Sequence, residues 1–258
     1  MRILMIGDII GSPGRKALSS LLPSLRQEHK LDLVVANGEN TAGGFGLTLD
    51  TAEELLDSGV DVITSGNHIW DQKEIIPHMS EGLPLVRPAN YPSGVPGRGH
   101  LIMGGVMVLN LMGRVFMSAI DCPFRTADQI LNSLPEEDPP KIIIVDFHAE
   151  ATSEKAALAW YLDGRVSAIL GTHTHVATAD ARILPGGTAF VSDVGMTGPV
   201  NSVIGSDPAP IIERFLTQTP RRFTVAIGGP LLLNAVLVDV DEKSGKATHI
   251  QRVDRTMG

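Results

Sequence analysis

Five short, largely apolar runs, Ile3–Ile6, Leu31–Ala36, Val60–Thr64, Lys141–Phe147 and Val166–Leu170, each stop at glycine, asparagine, serine or histidine. Runs of this length without polar alternation read as strands covered on both faces, the pattern of a parallel sheet between helices. Helical stretches separate them. One runs from Ser12 towards His29 on Leu18, Leu21, Leu22 and Leu25, with Pro23 as a kink, and another runs from Asp50 through Leu56 to a stop at Gly59. Further helices are predicted near Gln72–Met79, over Thr126–Leu134, over Ser153–Leu162 before Gly164, and over Pro210–Leu216. The chain is thus βαβ-like at both ends, which restricts it to a layered α/β fold.

Antiparallel pieces are added to that frame. His100–Met103 and Val106–Leu111 flank Gly104-Gly105, and Arg182–Leu184 and Thr188–Ser192 flank Gly186-Gly187, both read as hairpins. The tail, Arg222–Ile227, Leu231–Val240 and Lys246–Val253, reads as antiparallel strands with a turn at Lys243-Ser244-Gly245. Leu83–Val86 reads as a further strand, and Asp193–Gly205 as loop. Ser12 with Pro13 is a helix-start signal, and Asp50 with Glu53 reads as a capping box. No repeat or low-complexity tract divides the chain, so a single domain over residues 1–258 is expected.

Charge and cysteine content narrow the function classes. With 43% hydrophobic and 19% charged residues the chain is ordinary for a globular protein. A net charge of −8 argues against an extended grip on nucleic acid or on an anionic membrane. A small anionic substrate fits if bound cations reverse the local field. The single cysteine, Cys122, rules out a disulfide framework or a thiolate zinc cluster and is expected to be a buried thiol. No run reaches the ~20 apolar residues of a membrane span, and Gly7-Asp8 interrupts the first apolar run too soon for a signal peptide. A cytoplasmic location is expected, and association into a homo-oligomer is compatible with the sequence.

The chemistry sits where the strands end. The candidates are Asp8, Glu39-Asn40, Asn67-His68, His148, and His173 with His175, which include half of the eight histidines. In open α/β sheets ligands bind at the carboxyl ends of strands. Each piece has a plainer reading. Asp8 can cap the following turn, Glu39-Asn40 and Asn67-His68 can be side-chain-stabilised turns, and His148 can be a satisfied core histidine. His173 and His175 can be loop histidines. It is their shared position that favours one site. Carboxylate, amide and imidazole donors without thiolate suit manganese, iron or zinc better than calcium. Six or seven ligands are too many for one tetrahedral ion. They would serve two ions about 3.5–4 Å apart, bridged by one carboxylate, for which Glu39 is the natural choice; this is an arrangement used for in-line attack on phosphorus.

The order Gly7-Asp8, Gly38-Glu39-Asn40, Gly66-Asn67-His68, His148, Gly171-Thr172-His173-Thr174-His175 resembles the calcineurin-like metallophosphoesterases. Their usual pattern is GDxHG, GDxxD, GNHE/D, H and GHxH. Two departures, Asp8-Ile9-Ile10-Gly11 without the first motif's histidine and Glu39-Asn40 in place of the usual aspartate, are similar to the YmdB-type branch, as is Asp193–Gly198. The resemblance implies a four-layer αββα sandwich of mixed sheets and a di-iron or di-manganese phosphodiesterase acting on 2′,3′-cyclic nucleotides. Carried over by motif, Asp8, Glu39, Asn40 and His175 would hold one metal, and Glu39, Asn67, His148 and His173 the other. His68 matches the family's catalytic histidine, a general acid beside the metals. The expected partner is a small phosphodiester.

Two rivals share these residues: a phosphoesterase of other specificity (monoesters, 3′,5′-cyclic nucleotides, RNA ends), and a regulatory nucleotide-binding metalloprotein with slow turnover. A dinucleotide-binding oxidoreductase is disfavoured. Gly7-x-x-x-Gly11-x-x-Gly14 has the wrong spacing, and Asp8 would put negative charge where pyrophosphate must lie.

Overall fold

The computed structural model describes residues 1–80 and 82–258. Its first part contains β1 (Arg2–Ile6), β2 (Asp8–Ile9), α1 (Gly11–His29), β3 (Leu33–Asn37), α2 (Leu49–Asp57), β4 (Val62–Thr64) and α3 (Ile75–His78). Next come β5 (His100–Met103), β6 (Val106–Met112), α4 (Pro123–Asn132), β7 (Ile142–His148), α5 (Thr152–Tyr161) and β8 (Ala168–Thr172). The last part holds β9 (Arg182–Ile183), β10 (Ala189–Val191), β11 (Met196–Pro199), α6 (Pro208–Thr217), β12 (Leu231–Leu233), β13 (Ala235–Val240), β14 (Ala247–Arg252) and β15 (Arg255–Met257).

Among the described residues these strands form three sheets. One runs β14-β13-β1-β3-β4, the second β5-β6-β7-β8-β10-β9, and a small third β15-β12-β11-β2. In the first, β1, β3 and β4 are parallel; in the second, β6, β7, β8 and β10 are, and antiparallel strands complete both. The period-2 alternation of a strand assigns each side chain to a layer. Ile3 and Met5 of β1 meet Ile144 of β7 and Leu170 of β8 in a core between the two large sheets. Leu4 and Ile6 turn the other way, onto Leu18, Leu22 and Leu25 of α1 and Leu55 of α2. Val145, Phe147 and Ile169 pack outward on Leu158 and Ala159 of α5 and Ala127 of α4. The result is the expected helix–sheet–sheet–helix sandwich. Each fully buried Leu or Ile contributes roughly 1.5–3 kcal/mol, so these three cores dominate the layer order.

Several local expectations are corrected. Helix α1 starts at Gly11, one residue before Ser12, because the Gly11 N–H donates to the Asn40 carbonyl at 2.9 Å; the cap position is Ile10, with no side-chain cap. The capping box of α2 is Thr48 with Thr51, whose hydroxyls exchange bonds with each other's backbone N–H; Asp50 and Glu53 take no part in it. Leu83–Val86 makes only isolated bridges, Leu85 with Ile63 and Val86 with Arg98. Within the supposed loop Asp193–Gly205, Met196–Pro199 is a strand. Helix α1 approaches this strand closely through a glycine: a Cβ on Gly14 would lie 2.4 Å from the Thr197 carbonyl oxygen. Leu231–Val240 is broken at Asn234, where the chain leaves the small sheet for the large one. Arg222–Ile227 joins no sheet, and its one β-type pairing among the described residues is the isolated bridge between Val225 and Ser206. The terminal β15 was not anticipated. Cys122 is half-buried at the cap position of α4 instead of buried in the core. Among the described residues no helix is long and apolar enough to cross a membrane.

Candidate metal centre

The site forms where the carboxyl ends of β1, β3 and β4 from one sheet meet those of β7 and β8 from the other. The first sheet supplies carboxylates and amides, and the second supplies imidazoles. Tight backbone approaches make this meeting possible. A Cβ on Gly66 would lie 2.2 Å from His148 and 2.5 Å from Glu39 Oε2. On Gly7 it would lie 1.9 Å from the Gly195 carbonyl oxygen, and on Gly171, 1.8 Å from that of Ser192. Only glycine fits at these three positions.

Four donor atoms crowd together here, with His148 Nε2 at their centre. Asn67 Oδ1 is 3.0 Å away, His173 Nδ1 3.0 Å and Glu39 Oε1 3.1 Å. Glu39, His148 and His173 alone make a cation-competent group. A second group lies beside it. His175 Nε2 is 3.3 Å from the Asn40 amide nitrogen and 3.8 Å from Asp8 Oδ1. Asp8 is fully buried, and its Oδ1 has no hydrogen-bond partner among the described residues. An orphaned buried carboxylate oxygen is costly unless a cation meets it, so this donor set fits metal ions. Asn40 turns its amide nitrogen towards Glu39 Oε1 and His175; as a ligand it would need a half-turn to present Oδ1. His173 and His175, one residue apart, thus belong to different groups, and both hold positive φ, 100° and 64°. Such strained backbone is found where surroundings over-determine it.

Hydrogen bonds behind the donors set their tautomers. Thr172 Oγ1 donates to Asp146 Oδ1 at 2.7 Å and therefore accepts from His148 Nδ1 at 2.9 Å, which leaves Nε2 for the centre. Asp146 also accepts from Thr64 and Asn37, and burial pushes its carboxyl up to about 7. His175 Nδ1 donates to the Ile204 carbonyl at 2.9 Å, again freeing Nε2. Burial drives the His173 ring down to about 3, helped by the neighbouring His148 charge, so it stays neutral, as a ligand must. His148 and Glu39 are one interaction seen from both ends. Burial opposes charge on each, but their mutual attraction wins, raising His148 to about 9 and holding Glu39 near about 2. Burial raises Asp8.

His68 stands apart. Its backbone N–H donates to Glu39 Oε2 at 2.9 Å, its Nδ1 lies 2.8 Å from Asp71 Oδ2, and Phe45 meets its ring edge-on at 5.0 Å. It lines a cavity of about 300 Å³ together with Glu39, Asn40, His173 and His175.

Besides Asp146 and Glu150, the sequence reading gave no role to three further supporting residues. Asp71, three residues after His68, is one that its spacing could have flagged. The others are Lys155 and Asp193. Lys155, fully buried on α5, donates to Asp193 Oδ2 at 2.7 Å. The same oxygen accepts from the Thr174 N–H and hydroxyl at 3.0 and 2.8 Å, pinning the turn that carries both histidines. Lys155→Met strands a buried carboxylate and is expected to lower stability by about 3–5 kcal/mol. Pairing it with Asp193→Asn should recover much of that loss. Chemical denaturation of the single and double variants checks this, and equal losses in both would contradict it.

Comparison with known proteins gives a consistent picture. The family model described as YmdB-like protein matches residues 4–253. A 2′,3′-cyclic-nucleotide 2′-phosphodiesterase of Bacillus subtilis (strain 168) is 49% identical over 257 residues, covering 98% of this chain and 96% of its own. Among solved structures, a hypothetical protein from Thermus thermophilus has a TM-score of 0.93 at 44% identity, covering 100% of both chains. A structure described as a novel phosphatase from Mycoplasma pneumoniae has a TM-score of 0.92 at 35% identity, covering 99% of this chain and 93% of its own.

Proposed function

Because this chain belongs to the YmdB-like family of metallophosphoesterases, we propose that it hydrolyses 2′,3′-cyclic nucleotides to 3′-monophosphates. The observation that carries the reading is the convergence of two neighbouring donor groups, linked by the Asn40 amide on Glu39 Oε1, at one cavity that His68 also lines. Asp8, Glu39, Asn40 and His175 would hold one ion, and Glu39, Asn67, His148 and His173 the other. Iron or manganese suits donors of this kind. When bound, the pair supplies positive charge to phosphate oxygens and lowers the pKa of the attacking water. Neither sheet carries the site alone, so the chain acts as a single domain.

The protein's own groups do the rest. Asp71 accepts from His68 Nδ1 and Phe45 restrains the ring, which leaves Nε2 to carry a proton at the cavity. As water adds to phosphorus the P–O2′ bond breaks, and that proton goes to O2′. Thr172 and Asp146 hold the His148 ring in place, and Glu150 Oε2, 3.1 Å from His173 Nε2, does the same for His173.

The test is metal analysis of protein purified without added chelator or metal, joined to a substrate panel of 2′,3′-cyclic nucleotides, 3′,5′-cyclic nucleotides and monoesters. About two transition ions per chain and preferred release of 3′-monophosphate from the first class are expected. A metal-free chain that still cleaves phosphodiesters, or a preference for monoesters, overturns the proposal. A second expectation concerns protons. With its pKa raised to about 9, His148 is charged at pH 7 and must shed the Nε2 proton to bind metal. Calorimetric heats of metal binding should therefore depend on the ionisation enthalpy of the buffer, and heats identical across buffers would contradict this.

A further inference from the structure

Residues 222–227 carry a strand-like pattern yet join no sheet, and their placement gives them another role. The segment is held extended along the cavity, which Phe223, Thr224 and Val225 line, by the Asp207 N–H on the Thr224 carbonyl at 2.9 Å and the Ala226 N–H on the Gly205 carbonyl at 3.0 Å. Val225 seats against Gly11 and Gly44, where an added Cβ would lie 3.0 and 2.9 Å from its methyl carbon. Gly11 opens α1 just after Asp8, and Gly44 lies in the loop after β3 that begins with Glu39 and Asn40, so the segment is locked to the site itself. Two residues earlier, Phe223 forms a wall between two cavities. One, of about 300 Å³, is lined by Glu39, Asn40, His173 and His175 of the donor groups and by His68. The other, of about 470 Å³, lies against α6 and contains Arg214. The Arg214 guanidinium sits 4.9 Å from the Phe223 ring centroid, a cation–π contact that backs the ring from the second cavity.

The first cavity is chemically mixed. Carboxylate, amide and imidazole groups line it together with Ile10, Phe45, Ile204, Phe223 and Val225. Resting on the proposed cyclic-nucleotide reading, we infer that Phe223 is the stacking platform of a nucleobase subsite, gripping the base by its face. With the phosphate at the donor groups, a base one ribose away reaches beyond them, and the Phe223 wall, with Val225 beside it, offers π and aliphatic surface. Every base has a π face, and the hydroxyls of Ser206 and Thr224 are the side-chain hydrogen-bonding groups that the lip segments add. The subsite therefore accepts purines and pyrimidines alike.

The test reads binding, so that it stands apart from turnover. Metal-loaded wild type and Phe223→Ala are titrated calorimetrically with adenosine 3′-monophosphate, uridine 3′-monophosphate and base-free ribose 3-phosphate. Stacking of this kind is worth about 5- to 150-fold in affinity. Phe223→Ala should weaken both nucleotides by that factor and leave ribose 3-phosphate unchanged, and Phe223→Tyr should restore the nucleotides. Phe223→Leu, which keeps apolar bulk without a π face, should behave like the alanine variant with metal content intact. Equal weakening of all three ligands, or of none, overturns the subsite, as does a wild type that binds nucleotides no better than ribose 3-phosphate. Failure of the underlying reading looks different: wild type would bind nucleotides yet leave 2′,3′-cyclic substrates uncleaved.

Discussion

Replacing His68 by Ala is expected to lower turnover of a 2′,3′-cyclic nucleotide by about 10²–10⁴-fold, the range of a lost general acid, while metal content stays the same. The second half of that expectation follows from geometry. The side chain of His68 contributes no atom to either donor group, and its contact with Glu39 Oε2 is made by the backbone N–H, which alanine retains. The departing 2′ oxygen is a poor leaving group that needs a proton, whereas an aryl oxide leaves readily without one. On an aryl phosphodiester the same variant should lose far less. Asp71→Asn, which weakens the orientation of the ring without removing it, should fall between wild type and His68→Ala on the nucleotide. Equal losses on the nucleotide and the aryl ester would remove His68 from the proton-transfer role.

How far the sequence reveals this site depends on which contacts are local. A parallel strand delivers its last side chains to one edge, so Asp8, Asn67 and His173 are visible as endings of apolar runs, and the helices between them give the βαβ frame. What is not visible is that the endings come from two stacked sheets. Pairing β7 with β8 and facing them to β1 and β3 is a long-range event that no local pattern encodes, though it alone brings His148 Nε2 to Glu39. Buried polar supports are hidden for the same reason. Lys155 reads as an ordinary helical lysine until Asp193, 38 residues on, is found beside it. Asp146 sits unremarked inside an apolar run. The glycines in Asp193–Gly205 look like loop residues, yet Gly195, Gly198 and Gly205 make room for the side chains of Asn234 and Ile10 around β11. Strand propensity in Arg222–Ile227 misleads in the opposite way, because an extended segment can be held by a lip as well as by a sheet.

Glu39→Gln should be the most damaging single change to metal binding, because in the proposed assignment Glu39 serves both ions. The amide keeps the shape but loses the charge. Losing a partner that only orients a ligand typically costs metal affinity ~10–100-fold, and losing the shared carboxylate should exceed that, leaving at most one ion per chain on metal analysis. The metal-free protein offers an independent check through pH. Glu39 is depressed to about 2, so its stabilising effect is present above its ordinary 4.5 and is lost as pH falls towards 2. His148 is raised to about 9, so its effect is full below its ordinary 6.5 and is lost as pH rises through 9. Both describe a single buried ion pair, which must be counted once and which stabilises most between 4.5 and 6.5. Breaking a buried pair costs about 3–5 kcal/mol. Denaturation of the metal-free wild type and Glu39→Gln should therefore differ by that order near pH 5.5, between those two ordinary values, and converge above pH 9. A difference that persists unchanged at alkaline pH would mean that Glu39 stabilises the fold without using the charge of His148, and the two donor groups would then owe their spacing to the sheets alone.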